Sequence, residues 1–157
     1  MTTQQQPSAT SSVEINAAPA TVYALITDLD AMSQLAEETA KMRWAKGDSA
    51  QPGAVFKGTN RNGWHRWTTK CTITDAMPGE RFAFNVSHTG VPISRWQYDI
   101  TASGDGCSVT ESTWDRRPGW YKRPAGLATG VMNRSGANAE HIQATLQRLK
   151  KRAEAAN

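Results

Sequence analysis

The chain has 157 residues, 38% of them apolar and 20% charged, which suits one domain with one core and is short for two. Its net charge of +4 is mild, and basic residues without interleaved aromatics or a groove-entering motif give no case for nucleic acid as a partner. No apolar run approaches the ~20 residues that span a bilayer, so no integral membrane segment is expected, and with no apolar leader the chain is expected to be cytoplasmic.

Residues 1–11 are rich in Thr, Gln and Ser and are expected to form a disordered tail ahead of a single domain over 12–157. Residues 12–16, Ser-Val-Glu-Ile-Asn, alternate apolar and polar as a half-buried strand does. Pro19 fits the first turn of a helix whose apolar face is Val22, Tyr23, Leu25 and Ile26, and Asp28 or Asp30 can cap a second short helix through Met32 and Leu35.

From Lys41 the period changes to two, with Met42 and Trp44 between charged neighbours. A strand is expected from Val55. Asn62-Gly63 is the strongest two-residue hairpin signal, because both central positions of the favoured turn require positive φ. A long strand from Trp64 to Asp75, rich in Thr and aromatics, is turned back by Met77-Pro78-Gly79-Glu80. Strands follow at 81–88, 93–102 and 107–115, separated by Gly90 and by Gly104-Asp105-Gly106. That makes seven strands, and connections this short imply an antiparallel meander.

Residues 127–156 close the chain with one long amphipathic helix; the alternative is two helices with a kink, since Gly126, Gly130 and Gly136 each lower helix propensity. Leu127, Val131, Ile142, Leu146, Leu149 and Ala153 return to one face. Ser135 and Asn138 sit within the same stripe, so that face is apolar at its C-terminal end and polar midway. Such a helix reads as a lid over a cavity.

The order β-α-α-β6-α resembles the helix-grip fold of the START-like superfamily, and within it the polyketide cyclase/dehydrase and lipid-transport-like family. The residues that carry the resemblance are Val13-Glu14-Ile15-Asn16-Ala17-Ala18-Pro19-Ala20-Thr21-Val22-Tyr23, Asp28-Leu29-Asp30, the Met77-Pro78-Gly79-Glu80-Arg81-Phe82 hairpin and Thr110-Glu111-Ser112-Thr113-Trp114. Met32-Ser33-Gln34-Leu35-Ala36 departs from the tryptophan and proline usual in that corner. The resemblance implies an α+β domain whose seven-stranded antiparallel sheet curls around the C-terminal helix and encloses a pocket.

If the sheet's aromatic face is the inward one, Phe82, Phe84 and His88 point in from one strand, and Trp96, Tyr98 and Ile100 from the next. His65, Trp67 and Thr69 follow provided no bulge reverses the alternation, and Glu111 and Thr113 share the phase of Val109. The expected ligand-binding residues are Trp67, Phe82, Phe84, Trp96, Tyr98, Thr113, Val131, Ser135 and Asn138, a wall suited to an aromatic, polyketide-like or lipid-like molecule. Solid packing of six tryptophans competes with that reading, with Trp114 and Trp120 placed between the last strand and the helix.

A carboxylate at 111 facing inward must be paired or neutral. Paired with Arg134, His65 or Tyr98, it is structural. Unpaired, it becomes a candidate general acid or base beside His65 and His88, as a cyclase/dehydrase-type reaction would need.

Cys71 and Cys107 lie 36 residues apart with no metal-ligand spacing. No phosphate-binding loop, nucleophile elbow or HExxH appears. No metal or cofactor is expected, the partner is a hydrophobic small molecule, and the chain is expected to be a monomer or homodimer.

Overall fold

The computed structural model describes residues 6–36, 39–120 and 134–156. Strand β1 (Ala9–Ile15) leads into α1 (Pro19–Ile26) and α2 (Leu29–Leu35). The sheet continues as β2 (Thr39–Lys46), β3 (Val55–Asn62), β4 (His65–Met77), β5 (Arg81–His88), β6 (Val91–Ser103) and β7 (Gly106–Asp115), before α3 (Arg134–Ala155). The spatial order is β1-β7-β6-β5-β4-β3-β2, every pair antiparallel. This is the helix-grip architecture: a meander whose first strand closes onto its last.

Residues 9–11, expected to belong to the tail, lie in β1 instead. Ala9, Thr10 and Ser11 already pair with Thr113, Ser112 and Glu111, and the hydroxyls of Thr10 and Ser112 meet at 2.9 Å. Polar residues there read as tail in the sequence, but β7 offers a full ladder of hydrogen bonds and matching side chains to pair with.

The two short helices start where the local chemistry allows. Pro19 sits in the first turn of α1, where its missing N–H would have no partner in any case. The Asp28 carboxylate caps α2 by accepting from the amides of Asp30 and Ala31 at 3.0 and 3.2 Å. Val22, Ile26, Leu29, Met32 and Leu35 are thereby buried.

Two hairpins differ from their sequence signals. The β3–β4 loop consists of Gly63 and Trp64 flanked by the Asn62–His65 pair, one residue later than Asn62-Gly63, and of these two only Gly63, at φ +62°, has positive φ. A glycine at the first central position is the signature of the II′ turn, which shares the handedness of the strands. The β5–β6 loop is Thr89 and Gly90, both with positive φ at 49° and 81°, a I′ arrangement in which the β-branched Thr89 is an uncommon occupant.

The core lies between the concave face of the sheet and the helices. Ile142, Leu146, Leu149 and Ala153 of α3 are all within 2% of full burial, together with Ile15, Ile73, Phe82 and Val109. The backbone of α3 approaches β1, β7, α1 and α2 rather than the middle strands β3 to β6. Arg148 donates to the carbonyl of Leu35, and Lys150 to that of Glu14, pinning the helix at that side.

Candidate functional site

The inward face follows the alternation of the strands. On β4 Thr69, Cys71 and Ile73 are buried while Arg66, Thr68 and Lys70 are exposed, so His65 and Trp67 keep the inward phase. A bulge does exist, at Thr74, but it follows Ile73 instead of preceding His65: Ile73 pairs with Phe84, and Asp75 with Ala83. It turns Asp75 to the outer face, where Arg95 and Arg81 meet its carboxylate at 3.4 and 3.7 Å. Without it that charge would point into the core.

On β5 Phe82, Phe84 and Val86 are buried, and on β6 Ser94, Tyr98 and Ile100. Phe84 meets Phe56 edge to face at 5.1 Å and Phe82 at 5.5 Å, the offset geometries aromatic rings favour. Trp96 pairs with Thr113 on one side and Phe84 on the other and donates its indole N–H to Ser94 Oγ at 3.1 Å. Trp67 and Trp96 are only half-buried, whereas Thr113 is fully enclosed and Asn138 on α3 is buried. Asn60 on β3, missed by the sequence reading, is a further buried polar group and donates to Thr69 Oγ1 at 3.0 Å. Val131 lies outside the described residues, as does the side chain of Ser135.

At the centre of this face the Tyr98 hydroxyl donates to Glu111 Oε2 at 2.8 Å. The two residues are directly opposite on β6 and β7, and both are 2% exposed. Glu111 Oε1 is buried without a hydrogen-bond partner among the described residues. Loss of water raises the carboxyl's pKa from 4.5 to about 8, against the opposing pull of the Tyr98 hydrogen bond. The phenol moves the same way, well above its ordinary value, through burial first and the neighbouring carboxylate second.

The two histidines are not gathered with Glu111. His88 lies six residues along β5 from Phe82, about 20 Å at strand rise, and its Nδ1–H donates to the Thr68 carbonyl at 2.7 Å. His65, at the start of β4, stacks on Trp64 with ring centres 3.9 Å apart. Trp120 is 71% exposed, and the helix start against which it was expected to pack lies outside the described residues. Among the described residues no group of three or more His, Cys, Asp or Glu side chains could hold a metal, and no helix is long and apolar enough to cross a membrane.

Residues 6–154 match the family model described as polyketide cyclase / dehydrase and lipid transport. No curated protein matches the chain. Among solved structures, protein CV1439 from Chromobacterium violaceum is 14% identical with a TM-score of 0.70, covering 92% of this chain and 95% of that one. The di-domain ARO/CYC StfQ from the steffimycin biosynthetic pathway is 12% identical with a TM-score of 0.72, over 94% of this chain and 50% of its own. Ara h 8.0201 is also 12% identical, with a TM-score of 0.68 over 94% and 97%. At such identities the likeness is one of fold.

Proposed function

The chain belongs to the polyketide cyclase / dehydrase and lipid transport family, and from that premise we propose that it binds a hydrophobic small molecule, aromatic, polyketide-like or lipid-like, between the concave sheet and α3. The observation that carries the reading is Glu111: a carboxyl group on the inward face, sealed from water, with one oxygen held by Tyr98 and the other without a partner among the described residues. A buried polar atom left unmatched costs about 1–3 kcal/mol, and a guest offering a polar group to Oε1 would recover that cost. Below its pKa the carboxyl is neutral and presents an O–H there, suited to a carbonyl. Beside it the half-buried indole of Trp96, two residues from Tyr98 on β6, and the ring of Phe84 next to it offer flat apolar surface, with Trp67 far along β4 toward the β3–β4 hairpin. A wall of apolar surface with few polar groups is what small-molecule sites use.

The test is native mass spectrometry of the full chain purified from its own source, followed by titration with a panel of aromatic and lipid molecules. A co-purified compound, displaced by a panel member and bound at least tenfold more weakly by Trp96→Ala, is the expected result. A chain that is empty and binds nothing in the panel would overturn the reading.

The same carboxyl favours a second reading, a cyclase/dehydrase-type enzyme with Glu111 as general acid or base. A pKa raised to about 8 places the group where proton transfer near neutrality is efficient. Glu111→Gln separates the two. In a binder it costs a modest part of the affinity, whereas in an enzyme it abolishes turnover while binding persists.

A further inference from the structure

On the convex side of β2, β3 and β4 the side chains opposite the core are Lys41 and Arg43, Lys57 and Arg61, Arg66 and Lys70, all exposed. The register places Arg43 beside Lys57 and Lys57 beside Lys70, one continuous row of three cations across three strands. Arg61 stands directly opposite Arg66. Like charges so placed repel at close range, and none of the six has a carboxylate partner among the described residues. The other half of the same surface is built differently. There Arg81 is bonded to Asp99 at 2.7 Å and Arg95 to Asp75 at 3.4 Å, so its cations are neutralised. The six unpaired cations fall within an area of roughly 14 by 10 Å, from strand rise and spacing.

Beside this patch, at the tip of the β3–β4 hairpin, Trp64 is 85% exposed. Its ring is braced on His65, and the Arg61–Arg66 pair stands just behind it on the two strands.

We infer that this face docks on an anionic lipid bilayer, the cations meeting headgroup phosphates and carboxylates while the Trp64 indole inserts at the interface. A flat array of cations matches a planar anionic surface, and an indole at its edge supplies the second, apolar anchor that stable attachment of a peripheral protein needs. Single-stranded nucleic acid fits less well. It calls for aromatic platforms among the cations, whereas here the intervening residues are Thr59 and Thr68 and the indole stands only at the tip. The inference stands apart from the interior site and does not depend on any guest there.

The test is co-sedimentation of the full chain with phosphatidylcholine vesicles, with or without about 30% phosphatidylserine, at an ionic strength of about 0.1 M. Binding only to the anionic vesicles, lost at about 1 M salt, is expected. Each cation contributes about a fivefold factor, so Lys57→Gln with Lys70→Gln lowers the partition coefficient about 25-fold. Lys151→Gln with Arg152→Gln, an equal change of charge on exposed α3 surface, changes it less than twofold. Trp64→Ser weakens binding without altering the salt dependence. Circular dichroism of each variant verifies the fold. Equal binding to neutral vesicles, indifference to the double variant, or retention on single-stranded DNA with no vesicle binding would each overturn the inference.

Discussion

Tyr98 and Glu111 face each other across the β6–β7 ladder, and the phenol O–H donates to one carboxyl oxygen at 2.8 Å while the second oxygen has no partner among the described residues. Two polar side chains thus sit 2% exposed, joined by one bond. Tyr98→Phe keeps the ring and removes the donor, leaving Glu111 with two unmatched oxygens. The expected loss is about 1–3 kcal/mol in urea unfolding. Glu111→Leu with Tyr98→Phe replaces both partners by apolar groups and is expected to be more stable than Tyr98→Phe alone. Additive losses would show that the bond carries no coupling.

Glu111 also sets a direction for stability against pH. Its folded pKa, about 8, lies above the ordinary 4.5, so between these values the native state holds a proton that the unfolded chain has released. Its contribution is fully present below about pH 4.5 and is lost as pH rises toward 8, at up to about 1.4 kcal/mol per pH unit. Asp75 acts in the opposite sense. The Thr74 hydroxyl, then Arg95 and Arg81, hold its carboxyl below the ordinary range, so its contribution exists at neutral pH and is lost on acidification. Thermal unfolding between pH 5 and 9 is expected to show a declining midpoint in the native chain and a nearly flat one in Glu111→Gln. Equal slopes in both would place the titrating group elsewhere.

Much of this arrangement was legible in the residues because burial on one face of a strand enforces a period of two. The inward sets Phe82/Phe84, Trp96/Tyr98 and Glu111/Thr113 follow from that rule alone, and the Asp28 cap and Pro19 from helix-end chemistry. What escaped is non-local or depends on single dihedrals. Ala9 to Ser11 look like a tail until β7 supplies a partner. Gly63 takes the first loop position instead of the second because turn handedness is set by both flanking strands. The bulge at Thr74 has no glycine or proline to announce it. The Tyr98–Glu111 bond was one of the pairings that the shared inward phase allowed, and the β6–β7 register, to which loop composition is only a weak guide, is what selects it; the Arg134 side chain lies outside the described residues.

The cysteines are predicted to be chemically silent. Cys71 and Cys107 are 4% and 1% exposed and unpaired. Burial pushes the Cys71 thiol up to about 12, and burial with the nearby Glu14 charge raises that of Cys107. Since the thiolate is the reactive species, neither should titrate with a disulfide reagent at pH 8 until denaturant is added. Rapid modification of either in the folded chain would mean that the strand bearing it opens locally.

Backbone geometry yields a pair of predictions of opposite sign. Gly106 begins β7 against the turn out of β1, and a Cβ there would lie 2.2 Å from the carbonyl oxygen of Ile15. Backbone, not a flexible side chain, blocks the space, and the same strand carries Glu111. Gly106→Ala must therefore separate β1 from β7 locally, with an expected loss of about 3 kcal/mol, the upper end of what overpacked interiors typically show. Thr89 is the converse case. It occupies positive φ at 49° in the β5–β6 turn, where a β-branched side chain is strained and Asn is preferred. Its hydroxyl bonds only its neighbour His88's carbonyl, at 2.7 Å, among the contacts described. Thr89→Asn is expected to stabilise the chain by about 0.5–1 kcal/mol, of the order gained at other relieved turn positions. Urea midpoints of the two variants, compared with the native chain at constant slope, decide both. A neutral Gly106→Ala would mean that β1 does not press on the start of β7, and a destabilised Thr89→Asn would mean that the turn is not of the I′ type.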